Sequence, residues 1–488
     1  MKRFEVDEFY PKKLFFRRHE FMGTLSMGVK SVTDLHIVLQ YSLIKEGEIV
    51  AKVLGNTDMV KNLMSVVQSS GSTLKLSTKA TESSRISFNA DNVLLGTVIN
   101  KPMYQTQMSY QIADLKLWDL TIKESISSAA RSGHLGGQGN RTATFFLTGP
   151  TTLWETYEIL ERSFTGEEKI EVRNSKIELN EQTPFEIETR PFYLYENTAS
   201  EEHVDLKTRV QVLIFKTSMP ISQLSDSEFI SLAESTADDL TLLVSFISRR
   251  WVTWFRYELM TAGEAVAFIR NARECSSKEV EYNESSIPFN KARAFLKTGY
   301  TELQNLRKSH INLNMPLVYF VSANEAKYME ERFSTFFLSL ERIKDMFSRG
   351  AGLQKIYKTG VFKKLSSAIR GTVKQELGES PQAEMLLHKI PELNRPSLRA
   401  VLDLLFDRYE VKWNDLYPPG SEFTLIKTRD VLFHSSQEID MDNLMKEELR
   451  LQSLLERLLL SMLGWKDFSF SPINYKRGWL QEQKRNQT

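Results

Sequence analysis

The segment DNLMKEELRLQSLLERLLLSMLG, residues 442–464, predicts the clearest helix of the chain. Its apolar stripe, widened by further leucines, has helical spacing and comprises Leu451, Leu455, Leu458 and Met462. Gly464 follows the stripe and predicts a C-cap. A helix this apolar is expected at the centre of a helical bundle, because a surface helix would expose its leucines to water.

Upstream of this helix, a short motif joins an arginine to a histidine. Of the seven histidines, only His434 has an arginine, Arg429, five positions earlier, within the hexapeptide Arg-Asp-Val-Leu-Phe-His. An arginine binds phosphate through a planar, charge-assisted fork, and a histidine transfers protons near neutral pH. Together they are the minimum set for cleaving RNA without a metal. The alternative is that both side chains are structural.

Helix geometry limits how this motif could work. Five residues turn through about 500° on a continuous helix, which leaves Arg429 and His434 roughly 140° apart. Either the long arginine stem swings toward the histidine, or the helix begins inside the motif. Asp430 lies four residues before His434 and shares its face, so its carboxylate could orient the imidazole and raise its pKa. In the structural alternative, Arg429 pairs with an acid inside the bundle.

The motif resembles a known family signature. Arg429-Asp430-x-x-x-His434 is similar to the Arg-x(4–6)-His signature of HEPN domains, whose first x is often Asn, Asp or His. The segment Glu331–Arg342 also resembles the first long helix of such domains. A β-rich N-terminal half before a HEPN domain is similar to ApeA-like abortive-infection proteins. The specific resemblance covers roughly the last third of the chain.

The resemblance implies a domain organisation and a function. We expect an α+β multidomain protein: a β-sandwich-like sensing domain over 1–220, a helical connector over 221–315 and an all-α, HEPN-like ribonuclease domain over 316–488. The expected activity is metal-independent RNA cleavage in prokaryotic anti-phage defence, with Arg429, His434 and Asp430 as catalytic residues. The partners would be RNA (tRNA is one candidate), a second copy of the chain and a phage-derived trigger. A non-catalytic RNA- or protein-binding HEPN scaffold is the alternative.

A basic stretch between residues 342 and 374 favours an RNA surface. Nine cationic residues lie there, opposed only by Asp345. The residues expected to contact phosphates, which supply most sequence-independent affinity, are Lys355, Lys358, Lys363, Lys364 and Arg370. Tyr357 and Phe362 are interleaved and could stack on bases. The alternative is a solvated face.

Glu341, in the first long helix of the C-terminal region, has two open interpretations. It could face Arg429 in the bundle and fix the guanidinium fork. It could equally be a surface glutamate that pairs with Lys344.

Composition limits the remaining possibilities. A chain of 488 residues exceeds one ordinary core. Its net charge of +1 predicts no global attraction to nucleic acid, so a local patch would be needed. The single cysteine excludes an intramolecular disulfide and a cysteine-rich zinc site, which fits a cytoplasmic protein. We expect no metal, no cofactor, no secretory signal and no membrane partner.

Alternating apolar and polar residues between about 22 and 218 predict many short strands. Examples are residues 35–41, 185–189 and 210–215. The segment 89–92, Asn-Ala-Asp-Asn, predicts a turn. Beyond Pro220, a long helical pattern is predicted from Ser225 through about Arg273.

Overall fold

The computed structural model describes residues 18–27, 30–41, 49–55, 74–78, 86–101, 110–125, 141–147, 156–162, 168–173, 175–179, 185–196, 206–217, 224–260, 264–270, 286–287, 291–417, 424–434 and 440–466. The chain divides into two compact units. The first comprises 1–245 and 251–283, and the second comprises 246–250 and 284–488. The three-part functional division expected from the sequence stays a prediction.

The first unit contains a large antiparallel sheet. Its strands and those of a separate two-stranded sheet are β1 (Arg18–Met27), β2 (Lys30–Tyr41), β3 (Ile49–Gly55), β4 (Leu74–Thr78), β5 (Ile86–Lys101), β6 (Tyr110–Ser125), β7 (Thr142–Leu147), β8 (Thr156–Arg162), β9 (Glu168–Arg173), β10 (Ser175–Ile177), β11 (Phe185–Glu196), β12 (Leu206–Thr217), β13 (Trp254–Met260) and β14 (Glu264–Arg270). Twelve strands pair in the order β10-β11-β12-β7-β13-β14-β6-β3-β2-β1-β4-β5, and β5 also pairs with β6. The separate pair is β8–β9.

The chain is therefore mixed, with a β-rich N-terminal half and a helical C-terminal region. The three example strands predicted from alternation are confirmed within β2, β11 and β12. The described residues form one extended sheet and one separate pair, and a sandwich of two stacked sheets stays a prediction.

The turn predicted at residues 89–92 is wrong, because the segment lies inside β5. Opposite β4, the register shifts by one residue across this segment, from Ala90 facing Leu76 to Val93 facing Leu74. The local Asn and Asp residues thus accompany a bulge-type irregularity within a continuous strand.

Helix α1 (Asp226–Ser248) follows β12 and begins with a capping interaction. Ser225 and Glu228 form it, because the Ser225 amide donates to the Glu228 carboxylate at 2.8 Å and the Glu228 amide donates back to the Ser225 hydroxyl at 3.2 Å. The helix start predicted at this serine is confirmed. In the first unit, the indole N–H of Trp254 donates to Asp238 of α1 at 2.8 Å, which joins the helix to β13.

The helix predicted to continue to about Arg273 is wrong. It ends at Ser248, and Arg249 follows with a φ of +56° in the left-handed region. The chain then forms β13 and β14, and β13 inserts into the sheet beside β7. Six of the seven β13 residues are buried, so both faces of this strand are covered. A strand buried on both faces lacks the alternation that distinguishes a strand from a buried helix.

The second unit is helical. Its helices are α2 (Ala292–Lys308), α3 (Asn314–Glu325), α4 (Met329–Gly350), α5 (Thr359–Leu377), α6 (Pro381–Lys389), a 3₁₀ helix (Ile390–Asn394), α7 (Leu398–Arg408), α8 (Thr424–His434) and α9 (Met441–Met462). Glu331–Arg342 lies within α4, so that predicted helix is confirmed.

Helix α9 forms the core of this unit, as its leucine content predicts. Every residue from Leu451 to Leu463 is buried, and α9 packs against α3, α4 and α8. Two of its buried charged residues form ion pairs: Arg249 forks onto Glu456 at 2.7 and 2.8 Å, and Arg457 forks onto Asp415 at 2.6 Å. Satisfied ion pairs of this kind are what allow charge inside a packed bundle.

Both ends of α9 are capped. Asp440 accepts hydrogen bonds from the amides of Asp442 and Asn443 at 3.0 and 3.4 Å. At the other end, Gly464 has a φ of +74°, and the Trp465 amide donates to the Leu460 carbonyl oxygen at 2.8 Å. The predicted glycine C-cap is confirmed.

Among the described residues, no helix combines the length and apolar character that crossing a membrane requires.

Candidate functional site

The Arg-x4-His motif lies on one continuous helix, α8. This helix begins at Thr424, five residues before Arg429, which rules out the alternative in which the helix starts inside the motif. His434 is the last described residue of α8, and nothing is described of its side chain. The backbone directions of Arg429 and His434 therefore differ by roughly 140°. Only the bending of long side chains, or a second motif, could bring the two groups to one phosphate.

The Arg429 guanidinium lies between α8 and α4. One of its Nη atoms donates to the Asp430 carboxylate at 2.7 Å, and the other lies 3.9 Å from the Glu341 carboxylate on α4. The guanidinium carbon is 5.8 Å from the Phe337 ring centre and 6.0 Å from that of Phe433. About a third of the Arg429 side chain remains exposed to solvent. Both acids and both rings therefore hold a cation that solvent can still reach.

Glu341 faces Arg429, as one of its two sequence interpretations expected. The 3.9 Å separation is an ion pair and exceeds hydrogen-bond length, so Glu341 attracts the guanidinium without fixing its fork. Lys344, the partner in the other interpretation, pairs with Asp345 at 2.8 Å.

The charge around Arg429 bears directly on phosphate binding. Two carboxylates, Asp430 and Glu341, lie within 4 Å of one guanidinium. A phosphate entering beside them would meet net negative charge. Either Asp430, which is about half exposed, rotates away, or other cations join the site. Asp430 is therefore an ion-pair partner of Arg429 in this structure, and the predicted Asp430–His434 contact stays a prediction.

The start of α8 is anchored to α9 through a buried glutamate. Glu447 accepts hydrogen bonds from the Thr424 hydroxyl at 2.7 Å, from the Tyr417 phenol at 2.9 Å and from Arg450 at 2.6 Å. Burial raises the pKa of Tyr417 well above its usual value, and the neighbouring Glu447 carboxylate raises it further. The phenol therefore remains a proton donor to Glu447 under all ordinary conditions.

Sequence reasoning missed these supporting residues. Phe337 precedes Glu341 by four positions and so shares its face of α4, which is a readable pattern. Glu447 is buried in a leucine-rich helix. A polar residue predicted to be buried implies hydrogen-bond partners, although the sequence does not say which. Tyr417 and Thr424 are far from Glu447 in sequence, and only the fold brings the three together.

The predicted RNA-contacting residues lie on α5 and just before it. Lys355, Lys358, Lys363, Lys364 and Arg370 are all exposed, and no residue of α5 is buried. On a helical projection, Lys363, Arg370 and Lys374 share one side of α5. Tyr357 is about half exposed, and its backbone is held by Asn394, whose side chain bonds the Tyr357 amide at 2.8 Å and carbonyl at 3.1 Å.

Within the part of the chain that the structure describes, no group of three or more His, Cys, Asp or Glu side chains is arranged to hold a metal ion. No protein-family model, curated protein or solved structure matches this chain.

Proposed function

We propose that the second unit is an endoribonuclease of the HEPN type that cleaves RNA without a metal. The RNA 2′-oxygen attacks the adjacent phosphorus, and the bond from phosphorus to the 5′-oxygen breaks. The products are a 2′,3′-cyclic phosphate and a free 5′-hydroxyl. His434 either accepts the 2′-hydroxyl proton or donates a proton to the leaving 5′-oxygen.

The observation that supports this proposal best is the partial exposure of the Arg429 guanidinium. Its guanidinium is partly exposed beside Phe337 and Phe433, on the helix that also contains His434. A guanidinium has five N–H donors, and the hydrogen bond to Asp430 occupies one of them. The remaining donors match the equatorial oxygens of a pentacoordinate phosphate, where negative charge develops.

A second chain would complete the site. One histidine cannot readily serve as base at the 2′-hydroxyl and acid at the leaving oxygen in the same step. Two motifs that face each other across a two-fold axis would supply both groups and a second Arg429. That second guanidinium would also offset the two carboxylates beside the first. The sheet-containing unit would act as sensor for a phage-derived trigger, in an anti-phage abortive-infection system.

The experiment is RNA digestion in EDTA by the full chain, compared with His434→Ala and Arg429→Lys. Cleavage should be lost in His434→Ala, and the products of the unaltered chain should carry cyclic phosphates. Arg429→Lys should also fail, because an ammonium cannot reproduce the planar fork. Full activity of His434→Ala would refute the mechanism.

Asp430→Asn separates two roles of this carboxylate. If Asp430 mainly competes with phosphate for Arg429, the variant should bind RNA more tightly and cleave at least as fast. If it orients His434, cleavage should fall while RNA affinity holds or rises. The structure favours the first result, because Asp430 contacts Arg429 at 2.7 Å.

The same contact favours one alternative function. With Arg429 neutralised by Asp430 and Glu341, the bundle could bind RNA or protein without cleaving it. RNA binding by the full chain with no cyclic-phosphate product at any concentration would favour this scaffold.

A further inference from the structure

The segment between α4 and α7 folds without a core of its own. Across α5, α6 and the 3₁₀ helix, the buried residues are only Ala383, Ile390 and Asn394. Large apolar side chains remain 44–68% exposed, namely Ile356, Tyr357, Val361, Leu365, Leu377, Met385, Leu386 and Leu393. Scattered exposed leucines are ordinary, but a concentration this dense within one short segment marks an interaction surface.

One side of α5 has the spacing of a helix-pairing seam. Val361, Leu365, Ala368 and Thr372 alternate four, three and four positions apart, and all four are exposed. This is the repeat with which two helices interlock. The small residue Ala368 allows close approach. The Thr372 hydroxyl already donates to the Ala368 carbonyl oxygen at 3.3 Å, so burying Thr372 leaves no unsatisfied donor.

Charges flank this seam with opposite sign at its two ends. Lys358 precedes Val361 on the seam side, and Glu376 follows Thr372 on the same side. Both are exposed, and neither forms an ion pair with another described residue. By contrast, Lys363, Arg370 and Lys374 lie on the opposite side of α5.

The two charged ends of the seam are complementary to the seam of a second, antiparallel copy of α5. If two copies of α5 run antiparallel with Leu365 of each facing Ala368 of the other, Val361 faces Thr372. Lys358 then lies one residue, about 1.5 Å along the axis, from the level of Glu376 of the second copy. Two symmetric ion pairs close the seam, and the antiparallel helix dipoles add to the attraction.

We propose that the exposed seam of α5 binds the α5 seam of a second copy of this chain in a two-fold, antiparallel pair. The alternating spacing, the complementary ends and the missing core all favour this occupant. The pairing leaves the side that contains Lys363, Arg370 and Lys374 facing outward, available to RNA. It does not rest on the proposed ribonuclease activity.

A charge-reversal experiment tests the pairing by solution mass. Lys358→Glu alone and Glu376→Lys alone should each weaken the dimer by roughly tenfold or more, because each places like charges together at both ends. The double variant should restore association to near the original value. Lys363→Glu, on the opposite side of the helix, is the matched control and should leave the mass unchanged.

Each remaining outcome has a definite meaning. Leu365→Glu should yield a folded monomer, checked by circular dichroism, because its position is exposed in the single chain. A dimer that persists in Leu365→Glu, or an original chain that stays monomeric at all concentrations, would overturn the pairing. So would a monomer that binds anionic vesicles through the same seam. If Leu365→Glu disrupts the dimer and the original chain cleaves no RNA, the result supports the pairing and contradicts only the proposed ribonuclease activity.

Discussion

Gly464 shows how one residue ends the central helix. Its φ of +74° suits glycine, and a Cβ at this position would lie 2.9 Å from the Glu302 Cγ atom on α2. Gly464→Ala should therefore destabilise the protein by about 1–3 kcal/mol through backbone strain and steric overlap. Urea denaturation measures the change.

Gly371→Ala is the matched control for Gly464→Ala. Gly371 lies within α5, and an added Cβ would meet no atom within 4 Å. This substitution should stabilise the helix by about 0.5–1 kcal/mol, because alanine has less conformational freedom to lose. Equal effects of the two substitutions would contradict the geometry at Gly464.

At the scale of elements, the anchor between α8 and α9 should respond to alkali. The pKa of Tyr417 is raised in the folded chain, so its phenol ionises first in unfolded molecules as pH passes about 10. Its contribution to stability is complete below that pH and is lost as pH rises toward the folded pKa. Tyr417→Phe should lower the free energy of unfolding by about 1–3 kcal/mol at pH 8. The difference in unfolding free energy between the variant and the original chain should be smaller at pH 10.5.

Tyr328→Phe provides the comparison for Tyr417→Phe, since Tyr328 is largely exposed. The free energy of unfolding of Tyr328→Phe should equal that of the original chain at both pH values. A Tyr417→Phe gap that stays constant with pH would mean that the phenol titrates normally in the folded state.

The outward side of α5 should govern the salt dependence of RNA binding. Replacing Lys363 and Arg370 with glutamine removes two exposed cations, so the slope of log affinity against log salt should fall by about 0.7 for each on single-stranded RNA. Lys412→Gln, an exposed lysine outside α5, should leave the slope unchanged. If the α5 variant keeps its slope, these residues form an ordinary solvated face.

The elements differ in how well sequence predicts them. Helix α9 and strands β2, β11 and β12 follow from periodicity, because each has one face or stripe that differs from the rest. Strand β13 does not, since burial on both faces removes alternation. At the candidate site, the proximity of Glu341 to Arg429 was one of two interpretations that the sequence left open. The Asp430–Arg429 contact was not predicted, because Asp430 could contact either Arg429 or His434 and the tertiary geometry determines which of them it contacts.

At the scale of the whole molecule, a composite site makes activity depend on concentration. If two Arg429–His434 motifs are both required, the cleavage rate per chain should rise with protein concentration until dimers saturate. Adding excess His434→Ala chains should suppress the original chains by forming mixed dimers. A shared cleft would be contradicted if the cleavage rate per chain stayed constant over the concentrations at which monomers become dimers. It would also be contradicted if added His434→Ala chains left that rate unchanged.

The strand order β12-β7-β13 has a consequence for synthesis. Strand β7 ends at Leu147, whereas its neighbour β13 begins at Trp254, after α1 in the sequence. At 5–20 residues per second, a ribosome needs roughly 5–20 s to make the intervening chain. Throughout that interval the hydrogen-bonding edge of β7 that β13 will occupy, next to Phe145 and Phe146, has no native partner. The nascent chain should therefore depend on chaperones at this stage, and slow translation of this stretch should favour aggregation.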